Sequence, residues 1–369
     1  MKRQNAIPGT LRPAQLAIFL IAPVLCALVC LCVGRMNVPV KDLIAALQGH
    51  DIGRQKETVL WSMRLPRVLL AALVGAGLSV SGCVFQSMFA NPLATPDTLG
   101  VASGASFGAA LALLLGFGFL GVQLTAFCFG LAAVGLTCLM GRGGSRASMI
   151  LSGIMMGSLF SALVSLVKFT ADTESQLPAI TYWLMGSLSA ASFAALRLGA
   201  PAILLSCIVL LLLRWKLNLL PLSDDEARTF GTNIHRLRGL CIVCCAAMTA
   251  SCVAMCGQVG WVGLLVPHVC RMIFGSSHAR LLPAAISCGA VFMMVVDTLA
   301  RTISAAEIPV SILTAIIGAP IIRAISPCSL VSRAMAAWSL LLSLRRGKKS
   351  AIIALVINPV YTFEMFHAA

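Results

Sequence analysis

Charged residues are scarce in this chain. Only 11% of its 369 residues are Asp, Glu, Lys or Arg, whereas 59% are hydrophobic. An ordinary soluble domain is about 25% charged, so this chain has too little polar surface to coat a water-facing globule. The same composition excludes a disordered chain and a collagen. The net charge of +15 does not indicate a nucleic-acid partner, because the cations are scattered between apolar runs and form no single basic face.

Catalytic and cofactor-binding motifs are also missing. The segment Gly347-Lys348-Lys349-Ser350 lacks the upstream glycine and the preceding strand of a phosphate-binding loop, so the chain is not expected to hydrolyse ATP by itself. His268 and His278 have no matching carboxylates at metal-site spacing. The sequence therefore predicts no enzyme, no resident cofactor and no metal site. If the chain transports a solute, it must do so passively, by coupling to an ion or with a separate ATPase.

Cysteine is plentiful, yet its placement argues against a disulfide framework. Nearly all of the fifteen cysteines lie inside apolar runs, where they act as small hydrophobic residues. Cys241, Cys244 and Cys245 form a superficial C-x-x-C, but no second ligand pair follows at the spacing of a metal site. Packing within lipid-embedded helices is the favoured interpretation, and a metal or redox role is the weaker alternative.

Long apolar runs dominate the sequence and indicate a polytopic membrane protein. A transmembrane helix needs about 20 predominantly apolar residues. The run from Ala14 to Val33 follows a basic N-terminus (Met1 to Arg12) and is too long for a signal-peptide core, so it is predicted to be a retained first span. Residues 170–198 are only moderately apolar and are predicted to hold a short interfacial helix. The predicted fold class is all-α, with about ten transmembrane helices at 14–34, 66–87, 99–119, 121–141, 148–169, 199–217, 239–257, 259–275, 281–300 and 308–325.

The distribution of Lys and Arg between these spans predicts the orientation. Short cytoplasmic loops carry an excess of both residues. With a cytoplasmic N-terminus, the basic turn at 142–147, the polar stretch at 218–238 and the cations after the last span all fall inside. The first external loop carries five cations against this bias: Lys41, Arg54, Lys56, Arg64 and Arg67. Either the topology is wrong there or these cations face an acidic partner.

Small residues recur at four-residue spacing in two of the spans. They are Ala71, Gly75, Ser79 and Cys83 in the second span and Gly100, Gly104 and Gly108 in the third. Such stripes let helix backbones approach closely in a membrane. Packing is the favoured explanation, and a tightly packed bundle is expected.

A few polar residues inside or beside the apolar spans are candidates for function, because such residues are costly in lipid. Gln86, Asn91 and Pro92 surround a break after the second span, and their polarity makes them candidates for the transport pathway or its gate. Asp297 and Arg301 lie one helical turn apart on the ninth span, where they can pair or reach the interface. The spans hold almost no other Asp, Glu or His, which argues against a proton-coupled transporter.

Four segments of the chain carry motifs in a shared order and spacing. They are Arg64-Leu65-Pro66-Arg67 with Gly75, Gly82 and Gln86; Asn91-Pro92-Leu93-Ala94 through Leu99-Gly100 and Ser103-Gly104-Ala105; Gly263-Leu264-Leu265-Val266-Pro267-His268 with Arg271, His278, Arg280, Leu281, Leu282 and Pro283; and Asp297-Thr298-Leu299-Ala300-Arg301 with Glu307-Ile308-Pro309-Val310 and Gly318-Ala319-Pro320. This arrangement resembles the FecCD-type permeases, the membrane subunits of ABC importers for iron-siderophores, haem and cobalamin. The resemblance covers roughly residues 14–325. Each motif is weak alone, and four in register are highly specific.

The resemblance implies a ten-span bundle of the type II ABC importer class in the bacterial inner membrane. It implies three protein partners: cytoplasmic ATPase subunits, a periplasmic substrate-binding protein, and a second permease copy or a paralogue across a central pathway. The implied substrate is a metal chelate. Carried over onto this sequence, Arg64, Arg67 and Arg301 would dock acidic residues of the binding protein, and snorkelling to the interface is the alternative for these arginines.

Residues 222–238, called the coupling segment below, correspond to the family's cytoplasmic coupling helices. Ser223 is expected to cap a short helix, and Gly231 is expected to stop it. The helix would contain Asp224, Asp225, Glu226, Ala227 and Arg228, with its acidic residues in the first turn. A solvated loop is the alternative.

The predicted domains are a permease domain at 1–325 and a divergent tail at 326–369. Family members usually end shortly after the Gly-Ala-Pro helix, so this tail indicates an altered reading frame or a divergent extension. Its basic cluster from Arg345 to Lys349 would suit an interfacial anchor. Two other functions stay open on the residues alone: an ion-coupled secondary transporter, and a membrane scaffold or receptor that transports nothing.

Overall fold

A computed structural model describes residues 13–143, 145–304 and 307–325 of the chain. Over these residues the fold is helical and contains no strand. The segment Thr58–Arg64 is π-helical and leads directly into the fourth helix, and Lys216–Leu219 form a 3₁₀ turn. The α-helices are α1 (Pro13–Cys32), α2 (Val40–Leu47), α3 (Arg54–Glu57), α4 (Leu65–Met88), α5 (Val101–Leu114), α6 (Phe119–Met140), α7 (Arg146–Thr170), α8 (Gln176–Leu184), α9 (Phe193–Leu212), α10 (Asp224–Thr229), α11 (Ile234–Cys256), α12 (Val262–Phe274), α13 (His278–Thr302) and α14 (Val310–Ile325).

Ten of these helices coincide with the ten predicted spans, which confirms the predicted fold class. Seven of them are long and apolar enough to cross a membrane, and the shorter apolar helices are Val101–Leu114, Val262–Phe274 and Val310–Ile321. The short helix predicted within 170–198 is α8. Span bounds differ by a few residues, because caps and turns rather than hydropathy decide where a helix ends.

Helix α4 lies at the centre of the bundle. It is buried along most of its length, as is α11, whereas α1 and α7 are mostly exposed. Helices α13, α11, α12, α9 and α1 all pack on α4. The polar groups that α4 carries at its two ends are therefore held inside the bundle.

The predicted stripes of small residues are sites of close helix packing. A Cβ atom on Gly75 would collide with the carbonyl oxygen of Gly289 in α13, and one on Gly82 would collide with that of Gly263 in α12. A Cβ atom on Gly104 of α5 would lie 2.5 Å from the Cβ of Ala133 and 2.7 Å from the carbonyl oxygen of Phe129, both in α6. Packing explains these glycines without any further role.

Most cysteines in the described residues pack inside the bundle: nine of the fourteen are buried, four are half-buried and Cys128 is exposed. Every cysteine in the described part of the chain is free. Cys241, Cys244 and Cys245 are buried in α11. Packing therefore accounts for the C-x-x-C pattern.

The chain divides into two compact units, residues 1–314 and 315–369. The first contains α1 to α13 and the start of α14, and the described part of the second, 315–325, is the rest of that helix. Both the basic N-terminus (Met1 to Arg12) and the predicted tail at 326–369 lie outside the described residues. The predicted domain boundary therefore stays a prediction.

Candidate functional site

Helices α4 and α13 are antiparallel and carry polar groups at both ends. Arg67 near the start of α4 contacts Asp297 near the end of α13, and Ser87 near the end of α4 contacts His278, the first residue of α13. We call the first the arginine end and the second the coupling end. A 24-residue helix is about 36 Å long, so the two ends lie on opposite faces of the bundle.

Two buried arginines at the arginine end cap the last turn of α1. Arg64 donates hydrogen bonds to the carbonyls of Leu31 (2.7 Å), Cys32 (3.1 Å) and Met36. Arg301 donates to the carbonyl of Cys30 at 2.5 Å. The last carbonyls of a helix have no partner within it, and a guanidinium carries enough donors to bind several at once. These two side chains hold α1 against α4 and α13.

Arg67 is the centre of a partly buried ion cluster. Its Nε and Nη2 atoms donate to Asp297 at 2.9–3.0 Å, and its Nη1 donates to Glu307 at 2.9 Å. The predicted pairing of Asp297 with Arg301 is also present, with Nε and Oδ2 3.8 Å apart. The planar guanidinium of Arg67 therefore binds Asp297 through two nitrogens and Glu307 through the third, an arrangement that the single ammonium group of a lysine could not provide.

The three arginines predicted to dock a binding protein line one cavity of about 470 Å³ at this end. Arg35 and Glu307 line it as well. Each predicted docking arginine already binds a carbonyl or carboxylate of its own chain. An acidic partner would have to share these guanidinium groups with their internal acceptors. The docking role itself stays a prediction.

The predicted coupling segment contains a capped short helix, α10. The Ser223 backbone N–H donates to Glu226 Oε2 at 2.9 Å, and the Glu226 backbone N–H donates back to Ser223 Oγ at 3.3 Å. This is a capping box, which explains why the helix begins at Asp224. The two hydrogen bonds that Oε2 accepts, first from the Ser223 backbone N–H and then from the Ser223 hydroxyl at 2.8 Å, hold the pKa of Glu226 below its ordinary value. Gly231 has a φ of +67°, the left-handed conformation that turns the chain away after the helix.

Charged side chains attach the coupling segment to the bundle. Asp224 accepts a hydrogen bond from Arg238 of α11 at 2.7 Å, and this bond lowers the pKa of the Asp224 carboxyl. Ala227 is fully buried. Arg146 at the start of α7 donates hydrogen bonds to three successive backbone carbonyls, those of Leu220 (3.2 Å), Pro221 (3.1 Å) and Leu222 (2.5 Å). The segment is thus an ordered element joined to α7 and α11.

The predicted pathway residues Gln86, Asn91 and Pro92 line a single cavity of about 500 Å³ at the coupling end. Gln86 accepts a hydrogen bond from Arg271, and Asn91 Oδ1 accepts one from the Leu93 backbone at 2.9 Å. Ala90, between them, has a φ of +48°, which is unusual for a residue other than glycine. The cavity wall therefore includes the tight turn that breaks the chain between α4 and α5.

His278 joins the coupling side of this cavity to α4. Asn218 Oδ1 accepts from the His278 backbone N–H at 2.9 Å and lies 3.0 Å from His278 Nδ1. Because a backbone N–H can only donate, the contacting Asn218 atom is the oxygen, so Nδ1 carries the ring proton. His278 Nε2 is then the acceptor for the Ser87 hydroxyl, 2.9 Å away. One uninterrupted set of hydrogen bonds connects the chain just before the coupling segment to the end of α4.

Sequence reasoning assigned no role to Ser87, Asn218 or Arg271. All three line the coupling-end cavity beside the predicted residues. The Asn-Pro turn points to this end of α4, and His278 begins a span, so both were weak signals for a polar site. Asn218 had no local signal, since its partner lies 60 residues away in the chain.

Comparison with known proteins identifies the family. The FecCD transport family model matches residues 20–326. The chain is 41% identical over 305 residues to the molybdate import system permease protein MolB of Haemophilus influenzae, covering 81% of this chain and 90% of that protein. It is 38% identical over 271 residues to the hemin transport system permease protein HmuU of Yersinia pestis, covering 71% and 81%.

A solved structure gives the same result. An inward-facing conformation of a metal-chelate type ABC transporter matches with a TM-score of 0.79 and 40% identity, covering 85% of this chain and 99% of that one. The family match extends over all ten apolar helices, and it includes both polar ends of the α4–α13 pair. The chain therefore belongs to the FecCD transport family and is a membrane-spanning permease subunit of an ABC transporter.

Proposed function

We propose that this permease imports a metal chelate of the iron-siderophore, haem or cobalamin class across the inner membrane. The names of two relatives support this cargo: a probable iron chelatin permease of Helicobacter pylori, 41% identical over 265 residues, and the hemin permease of Yersinia pestis. The observation that carries the proposal is the α4–α13 pair. One of its ends is bonded to Asn218, just before the ordered coupling segment, and its other end is lined by arginines.

Molybdate is a second candidate cargo. The Haemophilus influenzae relative is named for molybdate import. Four arginines and one glutamate line the arginine-end cavity of this chain, which would suit an oxyanion at the entrance. Such an oxyanion is much smaller than a chelate, so uptake assays with each substrate can distinguish the two proposals.

ATP hydrolysis is proposed to take place in a separate ATPase that presses on the coupling segment. The coupling end would then be cytoplasmic, and so would the N-terminus. The Arg146 anchor and the Asp224–Arg238 pair support a segment that moves as one body. Motion would pass from Asn218 through His278 to Ser87 and so to the turn at Asn91 and Pro92. Gln86, Asn91 and Pro92 would act as the gate of the pathway.

The arginine end would face the periplasm and receive the binding protein. Glu307 is the acceptor on Arg67 that a docking carboxylate would replace most easily, because its side chain is 28% exposed while that of Asp297 is 2% exposed. Arg64 and Arg301 would keep α1 in place and add positive potential. Charge complementarity of this kind raises the association rate and selects the partner.

A second permease copy or a paralogue is proposed to cover one face of α7. Ser158, Ser161 and Ser165 lie on one side of this helix and are exposed. Serine hydroxyl groups facing lipid contribute little stability. Small polar residues such as these are typical of a helix–helix interface and would also suit a pathway between two copies.

The test is transport by the permease with its ATPase and binding protein in proteoliposomes. ATP-driven uptake of a ferric siderophore that excess molybdate does not inhibit would support the chelate proposal. Uptake of molybdate alone would support the second cargo. Uptake of either without the ATPase would contradict both and favour an ion-coupled transporter, and no uptake at all would favour a scaffold.

Docking is tested separately through Glu307→Gln. If Arg67 receives a carboxylate of the binding protein, this variant frees one of its donors, so the binding protein should stimulate the ATPase at lower concentration. Arg67→Glu should abolish stimulation. Lys41→Glu is the matched charge reversal, because Lys41 is exposed in the same predicted external loop and lies outside the arginine-end cavity. Unchanged stimulation in Glu307→Gln and Arg67→Glu would contradict docking at this end.

A further inference from the structure

The chain between α11 and α12 is not helical, and it lies at the depth of the membrane core. We call residues 257–261 the unwound segment. Helix α11 is antiparallel to α4, and Cys252, one turn before the end of α11, donates through Sγ to the carbonyl of Val74 at 3.9 Å. A Cβ atom on Gly263, just after the segment, would lie 2.8 Å from the carbonyl oxygen of Leu78. At 1.5 Å per residue, the segment therefore runs from about 8 Å to about 20 Å along α4, within the hydrocarbon core of about 30 Å.

The polar groups of the unwound segment lack partners. The backbone N–H groups of residues 258–261 make no hydrogen bond within the described part of the chain, and neither does the side-chain amide of Gln258. Gln258 and Gly260 are exposed. Apart from its chain neighbours, no described atom lies within 4 Å of a Cβ atom added to Gly260. Lipid tails offer nothing to bond these groups, so the segment must face water, a polar solute or another protein surface.

The residues at both ends of the unwound segment hold the break in place. Gly257 has a φ of +73°, and a Cβ atom there would collide with the carbonyl oxygen of Trp183, so only glycine fits. Trp261 has a φ of +67°, a conformation that is unusual for a residue other than glycine, and α12 begins immediately after it. Strained backbone of this kind is concentrated at functional sites. Membrane transporters commonly bind their substrates where a helix is interrupted near the middle of the bilayer.

We infer that the unwound segment lines a water-filled transport pathway, and that its free N–H groups and the Gln258 amide bind oxygen atoms of the cargo. An N–H group can only donate, so the matching ligand presents acceptors. An oxyanion and a chelate with carboxylate or carbonyl groups both present such oxygens. The inference rests on the proposed import function, but it holds for either cargo. The segment lies between the arginine end and the coupling end, where a solute entering at the first would pass on its way to the second.

Cysteine labelling tests whether the unwound segment faces water. The full-length permease with its ATPase is reconstituted in liposomes and treated on both sides with a membrane-impermeant maleimide, which reacts with a thiolate and therefore needs water at the thiol. Gln258→Cys is compared with Leu205→Cys. Leu205 is exposed on α9, two residues after Ile203, which lies beside Gly77 of α4 at a depth that the segment also spans.

We expect Gln258→Cys to react at least about tenfold faster than Leu205→Cys, after subtraction of the wild-type rate that the native cysteines give. Equally slow labelling of the two variants would overturn the inference, because the segment would then lie against lipid or beneath a second permease copy. This measurement needs no transport. If neither cargo is taken up, the import proposal fails, while fast labelling of Gln258→Cys still places the segment in water.

Cargo protection tests the binding of cargo oxygens. An excess of the transported cargo, the ferric siderophore or molybdate, should slow the labelling of Gln258→Cys. An unchanged labelling rate with a cargo that is transported would overturn the binding. Gln258→Leu should raise the KM for uptake about fivefold, the ratio of one ordinary hydrogen bond, without changing the melting temperature. Protection with an unchanged KM would assign the binding to the backbone N–H groups alone.

Discussion

The two ends of the α4–α13 pair bind their polar groups in different ways. The arginine end uses full charges with little access to water, in which Arg67, Asp297 and Arg301 share one cluster. At the coupling end, neutral hydrogen bonds join Ser87, His278 and Asn218 around a cavity of about 500 Å³, and the charged Arg271 beside them donates to the neutral amide of Gln86. Buried charges are costly to separate, whereas neutral hydrogen bonds are exchanged at modest cost. The comparison indicates that the arginine end is a fixed point and that the coupling end is where the bundle can rearrange.

Removing a charge from the arginine end should have the largest effect. Asp297→Asn leaves Arg67 and Arg301 without their shared carboxylate in a buried site, so we expect a loss of about 3–5 kcal/mol in the free energy of unfolding. Thermal unfolding in detergent measures it. Lys56→Gln breaks the more exposed Lys56–Asp42 pair and should cost at most about 1 kcal/mol. Equal losses in the two variants would show that the ion cluster is not buried in the working protein.

Separating the helices between the two ends should have the next largest effect. In Gly75→Ala the added Cβ meets the backbone of Gly289, which cannot move aside as a flexible side chain would. We expect a loss of about 1–3 kcal/mol. Gly135→Ala is the matched control, because within the described residues no atom beyond the local backbone of its own helix lies within 4 Å of the added Cβ, and alanine favours a helix. Similar stability of both variants would mean that α4 and α13 pack less closely than described.

The coupling end should show a smaller, cooperative effect. A double-mutant cycle of His278→Ala and Asn218→Ala should give an interaction energy of about 1 kcal/mol, because either change removes the bond between the His278 ring and Asn218, whereas the bond from the His278 backbone N–H is lost only with Asn218. ATP hydrolysed per substrate transported should rise in both single variants, with little further rise in the double variant. Additive effects on that ratio would show that the two residues act separately.

The exposed ion pair of the coupling segment should matter least. Asp224→Asn removes the bond to Arg238 and should cost about 0.2–1 kcal/mol, since both side chains are partly hydrated. The folded pKa of Asp224 lies below its ordinary value of 3.8, so the stabilisation is present above that pH and is lost as the pH falls through the folded pKa. Hydrogen exchange of α10 at pH 7 and pH 3 should show a larger loss in the wild type than in Asp224→Asn, in which protonation of Glu226 in the capping box still weakens the helix. Arg236→Gln removes a neighbouring exposed charge while the ion pair stays intact.

Local patterns in the sequence predicted the elements well. Hydropathy located ten spans, Ser223 as an N-cap before three acidic residues predicted the start of a short helix, and Gly231 predicted its end. The stripe through Gly75 predicted close packing. All of these depend on residues within a few turns of one another, so the local chain contains the physical information. The three pathway candidates were chosen by polarity alone, and they line one cavity because a single turn carries Asn91 and Pro92 just after Gln86.

The partners of the polar groups could not be predicted in the same way. The three arginines were assigned to an external partner from the family resemblance, and the sequence names no internal acceptor for Arg64 or Arg67. In the structure Arg67 binds Asp297, 230 residues away, and Arg64 and Arg301 bind the end of α1. Gln258 in the unwound segment carried no signal, because a single glutamine between two apolar helices belongs to no motif or repeat.

The sequence by itself determined that the chain is a bundle of apolar helices with a polar coupling segment, since burial of apolar surface in lipid and helix capping are local properties. Only the tertiary structure decided which helix ends share a cavity and which charge meets which. Those pairings depend on how closely helix backbones approach, as at Gly75 and Gly289, and such an approach places residues together that lie far apart in the chain.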